Sequence, residues 1–114
     1  MADNVTNIIN EIKDIASGIL EKDISTVRGF SERQVEAIAK QTVIIQEGIA
    51  NGDIDEDLRE FFLDGLEAMA LNFVNTLKGI LMVTLEKLWN ALVNFLYKAV
   101  GVVVWNPKSQ NPNS

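Results

Sequence analysis

The chain has 114 residues, 47% of them apolar and 23% charged, with a formal net charge of -6. That length fits one domain, and that apolar fraction supports a core rather than a disordered tail. It contains no Cys and no His, which excludes thiol nucleophiles, disulfides, thiolate or imidazole metal sites and histidine acid–base chemistry.

The first predicted element is a helix from about Asn4 to Arg28. Its apolar stripe runs through Val5, Ile8, Ile9, Ile12, Ile15, Ile19, Leu20, Ile24 and Val27, at the 3.6-residue period of an amphipathic helix. Asp3 or Asn4 can cap its start, and Gly29 is a suitable stop. A second helix is expected over about 31–50. Ser31-Glu32-Arg33-Gln34 has the form of a capping box, with Ser31 accepting from the Gln34 N–H and the Gln34 side chain returning to Ser31. Phe30 and Val35 stand where a hydrophobic staple would form, and Asn51-Gly52 closes the element.

A third segment is expected over about 55–100. Acids crowd its start (Asp53, Asp55, Glu56, Asp57), opposing the partial positive charge of a helix N-terminus. Caps are expected from Asp53 with Glu56, or from Asp57 with Glu60. From Leu58 to Val100 the apolar stripe never loses helical period and no proline interrupts it. Unbroken, those 43 residues would span ~65 Å. Two outcomes are open: a bend near Lys78-Gly79 giving a four-helix bundle, or a long helix that overhangs the domain and assembles with other copies. The sequence favours the long helix. Val102, Val103, Val104 and Trp105 follow, and 106–114 reads as a polar tail with no reason to fold alone. The fold expected is all-α: two amphipathic helices and one long apolar helix, unbroken or bent, in a self-associating hairpin or bundle of residues 1–105.

Charge is unevenly spread along these elements. Residues 1–67 hold fifteen acids against six bases, whereas residues 68–114 hold one acid, Glu86, against four lysines. The second part is also the apolar one, with 26 of the 38 residues from Ala68 to Trp105 apolar. An acidic first half argues against nucleic acid as a partner. No signal peptide is visible, and the ten-residue charge-free stretches Ala68–Leu77 and Leu88–Tyr97 fall short of the ~20 residues of a membrane span.

Candidate chemistry is sparse. Asp53, Asp55, Asp57 and Asp64 sit at calcium-loop offsets, but the position requiring Gly is Leu58 and the bidentate Glu is an Asp. Asp57, Glu60, Asp64 and Glu67 form one carboxylate stripe, best explained as a solvated helix face. No cofactor, metal or small-molecule substrate is expected, and no enzymatic activity. The wide apolar surface is the informative feature. Phe73, Leu77, Leu81, Leu85, Leu88, Trp89, Leu92, Phe95, Leu96 and Trp105 are expected to face lipid or other copies, with Lys78, Lys87 and Lys98 reaching toward anionic headgroups. Glu86 and Lys87 are expected to make polar contacts between protomers. The leading expectation is therefore a self-assembling helical protein on a membrane or lipid surface, cytoplasmic or peripheral to a membrane's inner face. The alternative is a soluble structural subunit (filament, capsid-associated or scaffold protein) whose apolar half other chains cover.

Overall fold

The computed structural model describes residues 2–101, which form four helices and one short 3₁₀ turn. Helix α1 spans Ala2–Leu20, α2 Glu32–Asn51, α3 Glu56–Thr76 and α4 Met82–Ala99. They run up and down in a ring: α1 packs on α2 and α4, and α3 packs on α2 and α4, with a thin α2–α4 diagonal. Trp105 and the expected tail 106–114 lie outside the described residues.

The stripe of the first segment survives although its helix ends early. Glu21 adopts a left-handed conformation at φ 58°, and the Lys22 N–H donates to the Ser17 carbonyl at 3.2 Å, which stops α1 at Leu20. The chain then turns through Ile24–Thr26, capped by Asp23, whose carboxylate accepts from the Ser25 N–H at 3.0 Å and its hydroxyl at 2.8 Å. Ile24 and Val27 still reach the core from this loop. Apolar periodicity therefore continues past the end of helical backbone, which is why 4–28 reads as one helix.

Helix α2 starts and stops where its signals place it. The Ser31 hydroxyl accepts from the Gln34 N–H at 3.2 Å, and Gly52, left-handed at φ 82°, closes the helix. The reciprocal half of the expected capping box is replaced by a longer-range contact: the Gln34 side-chain oxygen accepts from the Thr76 hydroxyl of α3 at 3.2 Å. At the start of α3, Asp55 provides the cap, accepting from the Leu58 N–H at 2.9 Å. Asp53 and Asp57, the expected caps, flank it.

The third segment is not one helix. Between Thr76 and Met82 the backbone turns: Leu77 and Leu81 are extended, and Gly79 is left-handed at φ 76°. The freed Lys78 N–H donates across the molecule to the Arg28 carbonyl at 2.8 Å. Energetics favour this reversal. Breaking the helix sacrifices a few backbone hydrogen bonds worth ~1 kcal/mol each, one of them remade to Arg28. In return α4 folds back and buries Leu88, Leu92, Val93, Leu96 and Val100, at about 1.5–3 kcal/mol for each large side chain. The longest extent of the described chain is 41 Å, well short of the ~65 Å rod of a continuous helix.

The core runs the length of the bundle. Ile8, Ile12 and Ala16 of α1 meet Val35, Ile38 and Ile45 of α2, Leu66 and Phe73 of α3, and the α4 set. Thr42 is buried among them with its hydroxyl donating to the Ile38 carbonyl at 2.7 Å, so its polar group is satisfied locally.

Candidate interaction surface

Two ends of the bundle differ in chemistry. At the hinge end, the 21–31 loop and the first turn of α2 pack on the end of α3 and the turn after it through the Lys78–Arg28 bond, the Gln34–Thr76 bond and an edge-on contact of Phe30 with Phe73, centroids 6.0 Å apart. Gly29 lies so close to Thr76 that a Cβ there would stand 1.9 Å from its carbonyl oxygen. This joint fixes the turn that follows. At the opposite end, Gln46 links Asn4 of α1 to the Ala99 carbonyl of α4, the latter at 3.0 Å.

The hinge presents consecutive apolar side chains to solvent. Leu81, Met82 and Val83 are 74%, 75% and 68% exposed. Leu81 is the N-cap of α4 and offers no side-chain acceptor, and no acid lies in the first turn, so the positive end of the helix dipole is uncompensated by side chains. Exposed Lys78 and Lys87 flank the apolar tip, and exposed Arg28 lies beneath it. Segments 21–31 and 77–87 together hold four bases against three acids, whereas 47–60 at the far end holds six acids and one base.

Of the residues expected to face lipid or other copies, Phe73, Leu77, Leu88, Leu92 and Leu96 pack in the chain's own core. Leu85, Trp89 and Phe95 are half-buried, and Leu81 is exposed. Leu85 and Trp89 line, with Leu71, Val74 and Met82, a groove of about 410 Å³ between α3 and α4, beside the tip. The Asn90 side-chain oxygen is buried at this groove without a hydrogen-bond partner. Glu86 and Lys87 are exposed, and neither enters an ion pair among the described residues, where Lys13–Glu32 at 2.7 Å is the salt bridge formed. Exposed Met82 and Val83, outside the expected set, complete the tip. Their signal was the four-residue apolar run Ile80 to Val83, of which only Ile80 and Leu81 fit the helical stripe.

One carboxylate of the expected solvated stripe has a structural task. The Glu67 side chain accepts a short hydrogen bond from the Tyr97 hydroxyl, and its backbone carbonyl accepts from the Trp89 indole N–H at 3.2 Å. Burial first, and then this contact with Glu67, pushes the Tyr97 hydroxyl pKa far above the ordinary tyrosine range. The pair latches α4 onto α3. Asp23 is shifted the other way, its carboxylate held low chiefly by the Ser25 backbone N–H. Among the described residues no group of three acids converges as a metal site, and no helix is long and apolar enough to cross a membrane.

No family model, curated protein or solved structure matches the chain. The class defined by the observations is therefore architectural: an all-α four-helix bundle with one apolar, base-flanked end.

Proposed function

We propose that the chain is a non-catalytic bundle that binds peripherally to an anionic lipid surface through its α3–α4 hinge. The observation carrying this reading is the triplet Leu81, Met82 and Val83, exposed in sequence at the end of the molecule between Lys78 and Lys87. Each such side chain gains about 1.5–3 kcal/mol on complete burial, and each lysine close to an anionic leaflet adds about 1 kcal/mol. The uncapped N-terminus of α4 turns its N–H donors toward the same place, favourable for phosphate oxygens. With so few groups engaged, attachment is reversible and salt-sensitive.

Co-sedimentation with phosphatidylglycerol vesicles tests it. The chain should pellet with them at low salt, stay in solution with phosphatidylcholine, and lose binding when Leu81, Met82 and Val83 are all replaced by Ser. Pelleting that ignores the triple substitution would refute the proposal.

A second reading, a structural subunit covered by other protein chains, is favoured by the groove beside the tip. Its mixed lining, with Leu71, Val74 and Leu85 beside Asn75 and Glu86, and the unpartnered Asn90 oxygen suit an apolar side chain and an N–H from a neighbouring protein. A discrete oligomer by sedimentation, indifferent to vesicles and dissociated by Trp89→Ala or Leu85→Ser, would select it.

A further inference from the structure

A second surface lies on the other side of α3, where it meets α2. Gln41, Phe61, Phe62, Asp64, Gly65 and Met69 line a groove of about 530 Å³. Phe61 is 71% exposed, and Ile44, one turn beyond Gln41 on α2, is 56% exposed. The Phe61 ring is held edge-on by Phe62, centroids 5.5 Å apart at 78°. Nothing approaches within 4 Å of where a Gly65 Cβ would stand, so the floor of the groove is open to a close-packed backbone. A third helix would seat in such a trough between two antiparallel helices at interaxial distances of ~8–10 Å. Aromatic rings and the adaptable Met69 suit a helical face with anchors at i, i+3, i+4 and i+7.

Charge selects the occupant. Asp64 lines the groove, and Asp57, one turn before Phe61 on α3, is exposed. From Asp53 to Glu67 the chain carries seven acids and one base, Arg59. An anionic lipid surface is repelled by such a rim. A second copy of the same face would oppose like charges across the contact. A basic partner is attracted from a distance and paired at the rim. We propose that the α2–α3 groove receives a basic amphipathic helix from another protein, its apolar face seated on Phe61, Phe62 and Met69.

The test uses the full chain and a labelled helical peptide of Leu and Lys, about five turns long, followed by fluorescence anisotropy at near-physiological salt. A scrambled peptide of the same composition, lacking an apolar face, is the control. Saturable 1:1 binding is expected, at least about tenfold weaker for the scrambled peptide and weakened at least about tenfold by Phe61→Ala. Gly65→Gln, which fills the groove without changing charge, should have the same effect. Phe61 is mostly exposed and Gly65 faces open space, so thermal melts should show the fold intact in both variants. The Leu81, Met82 and Val83 triple substitution should leave this binding unchanged, separating it from the lipid proposal. Three results would overturn the inference: no saturable binding, equal binding of the scrambled peptide, or affinities indifferent to both Phe61→Ala and Gly65→Gln. A chain that sediments as a dimer dissociated by Phe61→Ala would equally overturn it, giving the groove to a second copy.

Discussion

Three residues sit in demanding local settings, and each yields a stability prediction. Glu21 is a non-glycine residue in the left-handed region, which costs an L-residue ~1–2 kcal/mol. Glu21→Gly should recover up to about 1 kcal/mol after the entropy glycine forfeits. Its thermal midpoint should rise by roughly 4–8 °C per kcal/mol gained. Gly29 is the reverse case, left-handed at φ 88° and against the Thr76 carbonyl. Gly29→Ala should cost about 2–4 kcal/mol from backbone strain plus overpacking, measured by urea melts. Tyr97 adds a pH dependence. Its raised pKa means the folded state holds the hydroxyl proton more tightly than the unfolded chain. The associated stability is complete below the ordinary tyrosine pKa, near 10, and is lost as pH rises above it. Stability should therefore fall at alkaline pH in the native chain, and more shallowly in Tyr97→Phe. Gly29 was marked in sequence as a helix stop, but the settings of Glu21 and Tyr97 were not visible there. A left-handed Glu carries no compositional mark, and Tyr97 meets Glu67 across 30 positions that only the fold brings together.

At the scale of the element, sequence and structure part where two periodic signals join. Helix α2 was legible at both ends because its punctuation, Ser31 and Gly52, acts through local backbone bonds. The hinge was not, because Leu77, Ile80, Leu81 and Leu85 continue the stripe of α3 in phase although the backbone between Leu77 and Leu81 is not helical. Leu77 keeps its apolar role by turning into the core while Leu81, in phase with it, stands exposed, so periodicity across the hinge reports neither helical backbone nor burial at every position. What the sequence lacks at the hinge is equally telling: a helix that starts at Met82 has Leu81, not Ser, Asp or Asn, at its N-cap. Leu81→Ser should supply the missing acceptor and stabilise α4 by ~1 kcal/mol. If the exposed leucine serves binding rather than folding, the same substitution should weaken attachment to phosphatidylglycerol vesicles. A variant that melts higher and binds less would separate the two roles. A variant that melts lower would show that Leu81 contributes to packing despite its exposure.

For the whole molecule, the -6 net charge conceals a polarity that the fold makes spatial. In sequence the division falls between an acidic first part and a basic, apolar second part. Folding α4 back along α3 mixes those parts side by side, and Leu88, Leu92 and Leu96, counted as exposed candidates in sequence, become core. The polarity that survives runs along the bundle axis. Acids of segment 47–60 gather at one end, while Arg28, Lys78 and Lys87 border the apolar tip at the other. A protein charged this way meets an anionic surface in one orientation, since the Debye length of about 8 Å at physiological salt is shorter than the ~27 Å length of an 18-residue helix. The acidic end is screened from the surface when the tip is in contact. Reversal of the tip alone, by Lys78→Glu with Lys87→Glu, should therefore weaken vesicle binding by at least about tenfold, near 0.7 kcal/mol or more per reversed residue. Charge reversal of the same size at the far end, by Asp53→Lys with Asp57→Lys, should change it little at 0.15 M salt and strengthen it at low salt, where screening relaxes. Both pairs are exposed, so melting curves should remain near the native chain's. Equal responses to the two pairs would mean that net charge, not orientation, governs attachment.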